Sequence, residues 1–318
     1  MSELLKVEAL KVYYRLPQGV VRAVDEVSFS LERGEVLGIA GESGSGKSTL
    51  AMALAGLLRP PAVIESGRII FDGLDLTKLG EGEWRKLRGR RIAVIFQDPG
   101  TYLNPVYTSG FQVAEVYEAH RGGRASRYVE LVKDLYRKVK MADPERRVHS
   151  YPHQMSGGMK QRVLISMAIA EKPDLIIADE PTSALDVTIQ AEIVELLKEL
   201  KSETGSSIIF ITHDLALLLE IADRIMIMYA GKMAELGRSS EIRDNPLHPY
   251  TRGLLSVLKP ERKQKLASIP GSIPSLIDPP KGCRFHPRCP MAMPECSRVE
   301  PRTVKVNGRT VSCLLYEG

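Results

Sequence analysis

Apolar positions fall into short blocks whose spacing changes character along the chain. In the first forty residues, Leu5, Val7 and Leu10, then Val24, Val27 and Phe29, sit in β-rich runs on either side of the Pro17-Gln-Gly19 turn, a pattern that predicts antiparallel strands. Val36-Leu-Gly-Ile-Ala40 is a continuous apolar run and predicts a buried strand, followed by a helix over Ser48–Leu57. Ile69-Ile-Phe71 before Asp72-Gly73, and Arg91-Ile-Ala-Val-Ile-Phe96, read as further strands. Between about 107 and 149 acidic and basic side chains interleave at helical spacing, which predicts an inserted helical region with a wetted face. Met159–Ala170 and Ile189–Leu200 predict helices, the second with Ile189, Ile193, Leu196, Leu197 and Leu200 as its core stripe. Leu175–Glu180 and Ser207–Thr212 predict strands. Strands alternating with helices after an antiparallel start imply an α/β fold.

Composition narrows this picture. The 318 residues, 43% hydrophobic and 26% charged, suffice for a large core and an appended module. No run of roughly 18 apolar residues occurs, and Met1–Lys6 lacks the basic start and apolar stretch of a signal peptide, so a cytoplasmic chain is expected. The net charge of +5 is spread too evenly to argue for nucleic acid as a partner.

The candidate chemistry clusters at strand ends. Gly41-Glu-Ser-Gly-Ser-Gly-Lys-Ser-Thr49 stands between the Val36–Ala40 strand and a helix. Its pattern is that of a phosphate loop: backbone N–H groups around Ser43, Gly44, Ser45 and Gly46 cradle phosphates, Lys47 reaches the β- and γ-phosphates, and the Ser48 hydroxyl ligates Mg²⁺. Gly41, Gly44 and Gly46 allow the close backbone approach. Tyr14 is either an adenine-stacking aromatic or an ordinary strand-end tyrosine. Gln97 can ligate a metal or orient water, or simply be solvated in its loop. Ser156, Gly157 and Gly158 open a helix, as a second phosphate seat or a plain N-cap. Asp179 and Glu180 end a strand where ligands gather in open α/β sheets, Asp179 suited to Mg²⁺ and Glu180 to polarising a water. His213 follows the next strand, with a structural and a γ-phosphate role both open.

In order, Gly41–Thr49, Gln97, Met155-Ser-Gly-Gly-Met159, Leu175–Glu180, Ser183-Ala-Leu-Asp186 and His213 resemble the ATP-binding subunits of ABC transporters. Met155-Ser-Gly-Gly-Met-Lys-Gln-Arg162, Asn245-Pro-Leu-His-Pro-Tyr-Thr251 and Ile269-Pro-Gly-Ser-Ile-Pro274 are similar to the oligopeptide/dipeptide and nickel importer branch, nearest its D-type ATPase. Met155 and Met159 replace the Leu and Gln commonest in the general signature. The resemblance implies an ABC-type P-loop ATPase core with a RecA-like mixed sheet and an N-terminal antiparallel β subdomain. It places that core at 1–106 and 150–245, a helical subdomain at 107–149, and a C-terminal oligopeptide-transporter-type domain at 246–318.

It further implies ATP and Mg²⁺ (through Ser48, Gln97 and Asp179) held in a head-to-tail pair formed with an F-type second ATPase subunit or a second copy. Ser156 to Gly158 and Asp186 would come from the facing chain, Tyr14 would stack on adenine, Glu180 would act as general base and His213 as γ-phosphate clamp. Two membrane permeases and, indirectly, an extracellular binding protein are the implied partners, with the chain peripheral on the cytoplasmic face of the membrane. Peptide import is the implied activity. Oligosaccharide or nickel import remains open, as does a non-transport ABC-type ATPase of DNA repair, chromosome structure or translation.

The C-terminal stretch carries separate signals. Pro260, Pro270, Pro274, Pro279 and Pro280 predict a stiff connector. The chain's 4 cysteines follow, Cys283, Cys289, Cys296 and Cys313. Their clustering favours metal over disulfides in a cytoplasmic chain, with iron-sulfur, zinc and disulfides or core thiols all open on spacing alone and His286 as a reserve ligand. The resemblance points to a 4Fe-4S cluster, with zinc as the alternative.

Overall fold

The computed structural model describes residues 2–183, 185–256, 258 and 269–317; Ala184 and Pro260, singled out above, lie outside them. Its contacts divide the chain into two compact units, one of residues 1–78 and 210–318 and one of residues 79–209.

The first unit opens with β1 (Glu3–Leu16) and β2 (Gly19–Glu32), an antiparallel pair in which Val7 lies opposite Phe29 and Leu10 opposite Val27. Leu5, Val7, Leu10 and Val12 are buried. The two-residue alternation skips between Val7 and Leu10, where Ala9 takes φ 43° and bulges the strand. β3 (Val36–Ala40) is buried along its whole length, as a strand covered on both faces must be. α1 (Lys47–Leu54) follows the glycine loop and stops short of the predicted Leu57 because Gly56 turns the chain at φ 64°. β4 (Ala62–Phe71) is longer than Ile69–Phe71, since all of it pairs with β1, and β5 (Leu74–Asp75) completes a sheet of order β2-β1-β4-β5.

The second unit begins with α2 (Glu81–Leu87), β6 (Ile92–Ile95) and α3 (Pro99–Tyr102). α4 (Ser109–Arg121), α5 (Val129–Lys138) and α6 (Pro144–Arg147) then occupy the stretch read as helical. The inner faces of α4 and α5 are apolar, with Val113, Val132 and Tyr136 buried, while pairs such as Lys133–Glu130 (2.7 Å) lie at the surface. α7 (Gly157–Ile169) packs on α4 and α5, and β7 (Leu175–Asp179) runs parallel to β6. α8 (Val187–Thr204) buries Ile193, Leu196, Leu197 and Leu200 of its predicted stripe, while Ile189, in its first turn, is only half-buried. It ends at Gly205, a left-handed C-cap at φ 70°.

β8 (Ser207–Ile211) carries the chain back into the first unit. There α9 (Leu215–Ile221), β9 (Arg224–Tyr229), β10 (Lys232–Arg238), α10 (Ser239–Asp244) and α11 (Pro249–Ser256) follow. β11 (Thr303–Val306) and β12 (Arg309–Ser312) form a hairpin through Asn307-Gly308, both residues at positive φ. Within this unit the order β11-β12-β10-β9-β3 combines antiparallel pairs with the parallel pair β9-β3, which makes the sheet mixed. Among the described residues no helix is long and apolar enough to cross a membrane.

Candidate functional site

The glycine loop leaves β3 at Gly41 and enters α1 at Lys47. Its path depends on glycine most at Gly46, which has φ 100°; a Cβ there would stand 2.0 Å from the Ala23 carbonyl oxygen. The Lys47 side chain is buried and folds back over the loop. Its Nζ donates to the carbonyls of Gly41 (2.8 Å) and Glu42 (3.0 Å) and approaches Ser45 Oγ at 3.4 Å. An ammonium held by loop carbonyls at a helix N-terminus is a preset cation facing the ground where backbone N–H groups favour an anion. Ser43, Gly44 and Ser48 are exposed around it. Tyr14 in β1 joins this group, with its Oη 3.0 Å from Thr49 Oγ1. His213 is exposed just beyond β8, between Thr212, whose N–H donates to the Ile39 carbonyl at 3.2 Å, and Asp214, which caps α9 by accepting from the Leu217 N–H at 3.1 Å.

In the second unit the parallel register decides the chemistry. Ile95 of β6 faces Ala178 of β7, so two residues further along each strand Gln97 and Glu180 leave the sheet side by side. Gln97 Nε2 donates to Glu180 Oε2 at 3.1 Å. Glu180 takes φ 46°, a left-handed conformation uncommon for a non-glycine residue. Its carbonyl accepts from Ser183 Oγ at 3.2 Å and from the Ser183 N–H at 3.3 Å, which fixes the turn that aims the carboxylate. Asp179, one residue back, is buried.

Ser156 caps α7 by accepting from the Met159 N–H at 3.3 Å, and Asp186 caps α8 by accepting from the Ile189 N–H at 3.0 Å. The two caps are drawn together because Gly157 and Gly158 lack side chains: added Cβ atoms would stand 3.3 Å from Leu185 and 2.8 Å from Ile189. In the second unit Gln97, Asp179 and Glu180 thus form one group and Ser156 to Gly158 and Asp186 another; Tyr14, Lys47, Ser48 and Thr49 gather in the first unit.

A scan against family models matches residues 24–183 to one described as "ABC transporter". The chain belongs to the ABC transporter family. A second model, "Oligopeptide/dipeptide transporter, C-terminal region", matches residues 234–296 of this ABC chain. Among curated proteins it is 47% identical over 313 residues to the dipeptide transport ATP-binding protein DppD of Escherichia coli K12, covering 98% of this chain and 96% of that one. It is 45% identical over 318 residues to the oligopeptide transport ATP-binding protein OppD of Haemophilus influenzae, covering 99% and 98%. Among solved structures it resembles the dimeric ATP-binding cassette MJ0796 in a post-hydrolysis state with ADP and Pi, at a TM-score of 0.67 and 27% identity over 74% of this chain and 99% of that one. The ABC ATPase fold and the membership of the ATP-hydrolysing class anticipated from the motifs therefore hold.

Cys283, Cys289, Cys296 and Cys313 are free thiols. Burial first, then the neighbouring thiols, pushes Cys283 up to about 11, and burial also raises Cys289 and Cys313. A ligand set demands donors that converge on one point. Among the described residues no three His, Cys, Asp or Glu side chains are placed to hold a metal ion. His286, the reserve ligand, turns its Nδ1 to the Cys283 carbonyl at 2.9 Å. One residue escaped the motif reading. Glu42, which the loop pattern leaves unspecified, is engaged by Arg288 and by Tyr250. Only its long-range partners mark it, and these have no local signal.

Proposed function

We propose that this chain is the ATP-hydrolysing subunit of an importer of di- and oligopeptides. The observation that carries the peptide reading is the reach of the likeness: 47% identity extends over 98% of the chain, through the region matched as oligopeptide/dipeptide transporter C-terminal. A resemblance to cassettes in general needs only the region up to about residue 183.

In this reading Tyr14 stacks on adenine, the loop from Gly41 to Thr49 holds the phosphates, and Lys47 neutralises their charge. Ser48, Gln97 and Asp179 supply the hard oxygen donors that Mg²⁺ takes. Glu180, steered by Gln97, is the general base toward the attacking water, and His213 steadies the γ-phosphate. Ser156, Gly157, Gly158 and Asp186 act on the nucleotide of a partner chain, which is either a second copy or an F-type homologue. Phosphoryl transfer needs positioning and charge neutralisation, so dividing the donors between two chains makes cleavage wait for closure, and closure moves the permeases. The chain then sits peripherally on the cytoplasmic side of two permeases fed by an extracellular binding protein. We also read 1–106 with 150–245 as the core, 107–149 as the helical subdomain and 246–318 as the C-terminal domain.

The four cysteines carry one further proposal, a 4Fe-4S cluster, supported by four soft donors gathered in the sequence between Cys283 and Cys313. Anaerobic purification followed by iron and sulfide analysis tests it; stoichiometric zinc without iron removes it. Reconstitution with the two permeases and binding protein tests the main reading: ATP hydrolysis should rise with peptide and fall with damage at Ser156. Stimulation by oligosaccharide or nickel and not by peptide refutes the cargo, whereas co-purification with ribosomes or DNA and no permease association refutes transport.

A further inference from the structure

The phosphate loop is tied to the C-terminal region through Glu42. Arg288 lies in the turn His286–Arg288, between Cys283 and Cys289, with its side chain only 7% exposed. Its Nη1 donates to Glu42 Oε2 at 2.7 Å and its Nη2 to Glu42 Oε1 at 3.0 Å, a bidentate fork on a carboxylate. The remaining donors are engaged as well: Nε with the Pro270 carbonyl (2.8 Å), Nη1 with Tyr229 Oη (3.3 Å) and Nη2 with the Ile269 carbonyl (3.4 Å). A guanidinium has five N–H groups, and each has an acceptor here. The backbone of Glu42 is held too, since its N–H donates to Tyr250 Oη at 3.0 Å. Its carbonyl in turn accepts from Lys47 Nζ at 3.0 Å and from the Ser45 N–H at 3.2 Å.

The path from Arg288 to Lys47 therefore runs through a single residue. Glu42 also presents a carboxylate within a loop built for a polyanion, where an unneutralised charge opposes binding.

We propose that Arg288, assisted by Tyr250, is a positioning residue for the nucleotide site: it neutralises Glu42 and fixes the carbonyl that aims Lys47, so the C-terminal region sets the affinity of the loop for ATP. The inference rests on the ATP reading given above. Removing the guanidinium strands a carboxylate beside the phosphates and frees its backbone, with a loss on the order of tenfold or more in affinity. Replacing the carboxylate by an amide as well removes the stranded charge.

The test is titration of full-length protein with Mg-ATP, alongside its melting temperature and the KM and kcat of the permease-bound ATPase. Arg288→Met should weaken ATP binding roughly tenfold or more and raise KM, with kcat at saturation nearly unchanged. Glu42→Gln in the same chain should recover most of the loss. Wild-type affinity in Arg288→Met overturns the inference, as does a lowered melting temperature with unchanged affinity or a double variant no better than the single. Should the methionine variant not fold, Arg288→Lys keeps stem and charge but not the fork; a few-fold loss supports the role and wild-type affinity overturns it. Lys47→Ala separates the two levels. ATP binding indifferent to Lys47 defeats the nucleotide reading itself, while binding that needs Lys47 but not Arg288 defeats only this inference.

Discussion

Glu180→Gln isolates the chemical step from everything that surrounds it. The side chain is half-buried, and its Oε2 accepts from Gln97 Nε2 at 3.1 Å, a bond that a side-chain amide oxygen can also accept. The left-handed backbone at φ 46° costs the same for an amide as for an acid of equal shape. Folding stability should therefore change by less than about 0.5 kcal/mol. What disappears is the group able to take a proton from water. General-base catalysis contributes about 10²- to 10⁴-fold, or about 3–5 kcal/mol of barrier. Phosphate release by the permease-bound protein at saturating ATP should fall by that factor, while titration should give wild-type affinity. Size-exclusion chromatography with ATP should show the paired form accumulating, because closure proceeds and hydrolysis does not. Turnover within about tenfold of wild type would refute the role of Glu180 as base.

Three further outcomes test the surroundings. In Gly46→Ala the new Cβ would meet the Ala23 carbonyl oxygen at 2.0 Å with the backbone at φ 100°, so ATP binding should vanish from a titration, and retained affinity would show that the loop tolerates a different path. In Gly158→Ala the Cβ would stand 2.8 Å from Ile189 Cγ2 and displace the first turn of α8. Helix propensity gains about 1 kcal/mol, so a stable protein with intact ATP binding and reduced turnover is expected; unchanged turnover would separate Gly158 from hydrolysis. Burial, and then the Arg252 charge, lower His248 from 6.5 to about 4, and its Nδ1 accepts from the Tyr250 N–H at 3.0 Å, which requires the neutral ring. Between those two pH values the unfolded chain takes up a proton that the folded chain refuses, so stability should fall by roughly 1.4 kcal/mol per unit as pH drops through that window, and stay level from this source above it. Denaturant titrations should find a flatter pH dependence in His248→Gln, and equal slopes would remove His248 as the cause.

Much of the site was legible because its signals are local. The phosphate loop needs glycines at set intervals between a buried strand and a helix, and all of these lie within one short window. The strand ending in Asp179 and Glu180 shows in the same way, as an apolar run that stops at two acids. The hairpin β11-β12 was equally readable and was missed: Asn307-Gly308 between alternating Val304, Val306 and Val311 is a type I′ signal. β9 and β10 were missed too, although Ile225 to Tyr229 is an apolar run as plain as that of β3. The cysteines mark the opposite case, for spacing announces a shared role but only side-chain placement decides whether four sulfurs converge.

Taken alone, the order of residues settled the class of chemistry, the order of the main strands and helices flanking it, and the family, since each depends on patterns a few residues long. Folding decided the rest. The pairing of Gln97 with Glu180 comes from the register of β6 against β7, and the packing of the two capped helix starts at Ser156 and Asp186 from the absence of side chains at Gly157 and Gly158. The hold of Arg288 on Glu42 spans 246 residues. No window of sequence contains such a contact, because its partners are neighbours only after the chain has closed on itself and the guanidinium has exchanged water for five fixed acceptors.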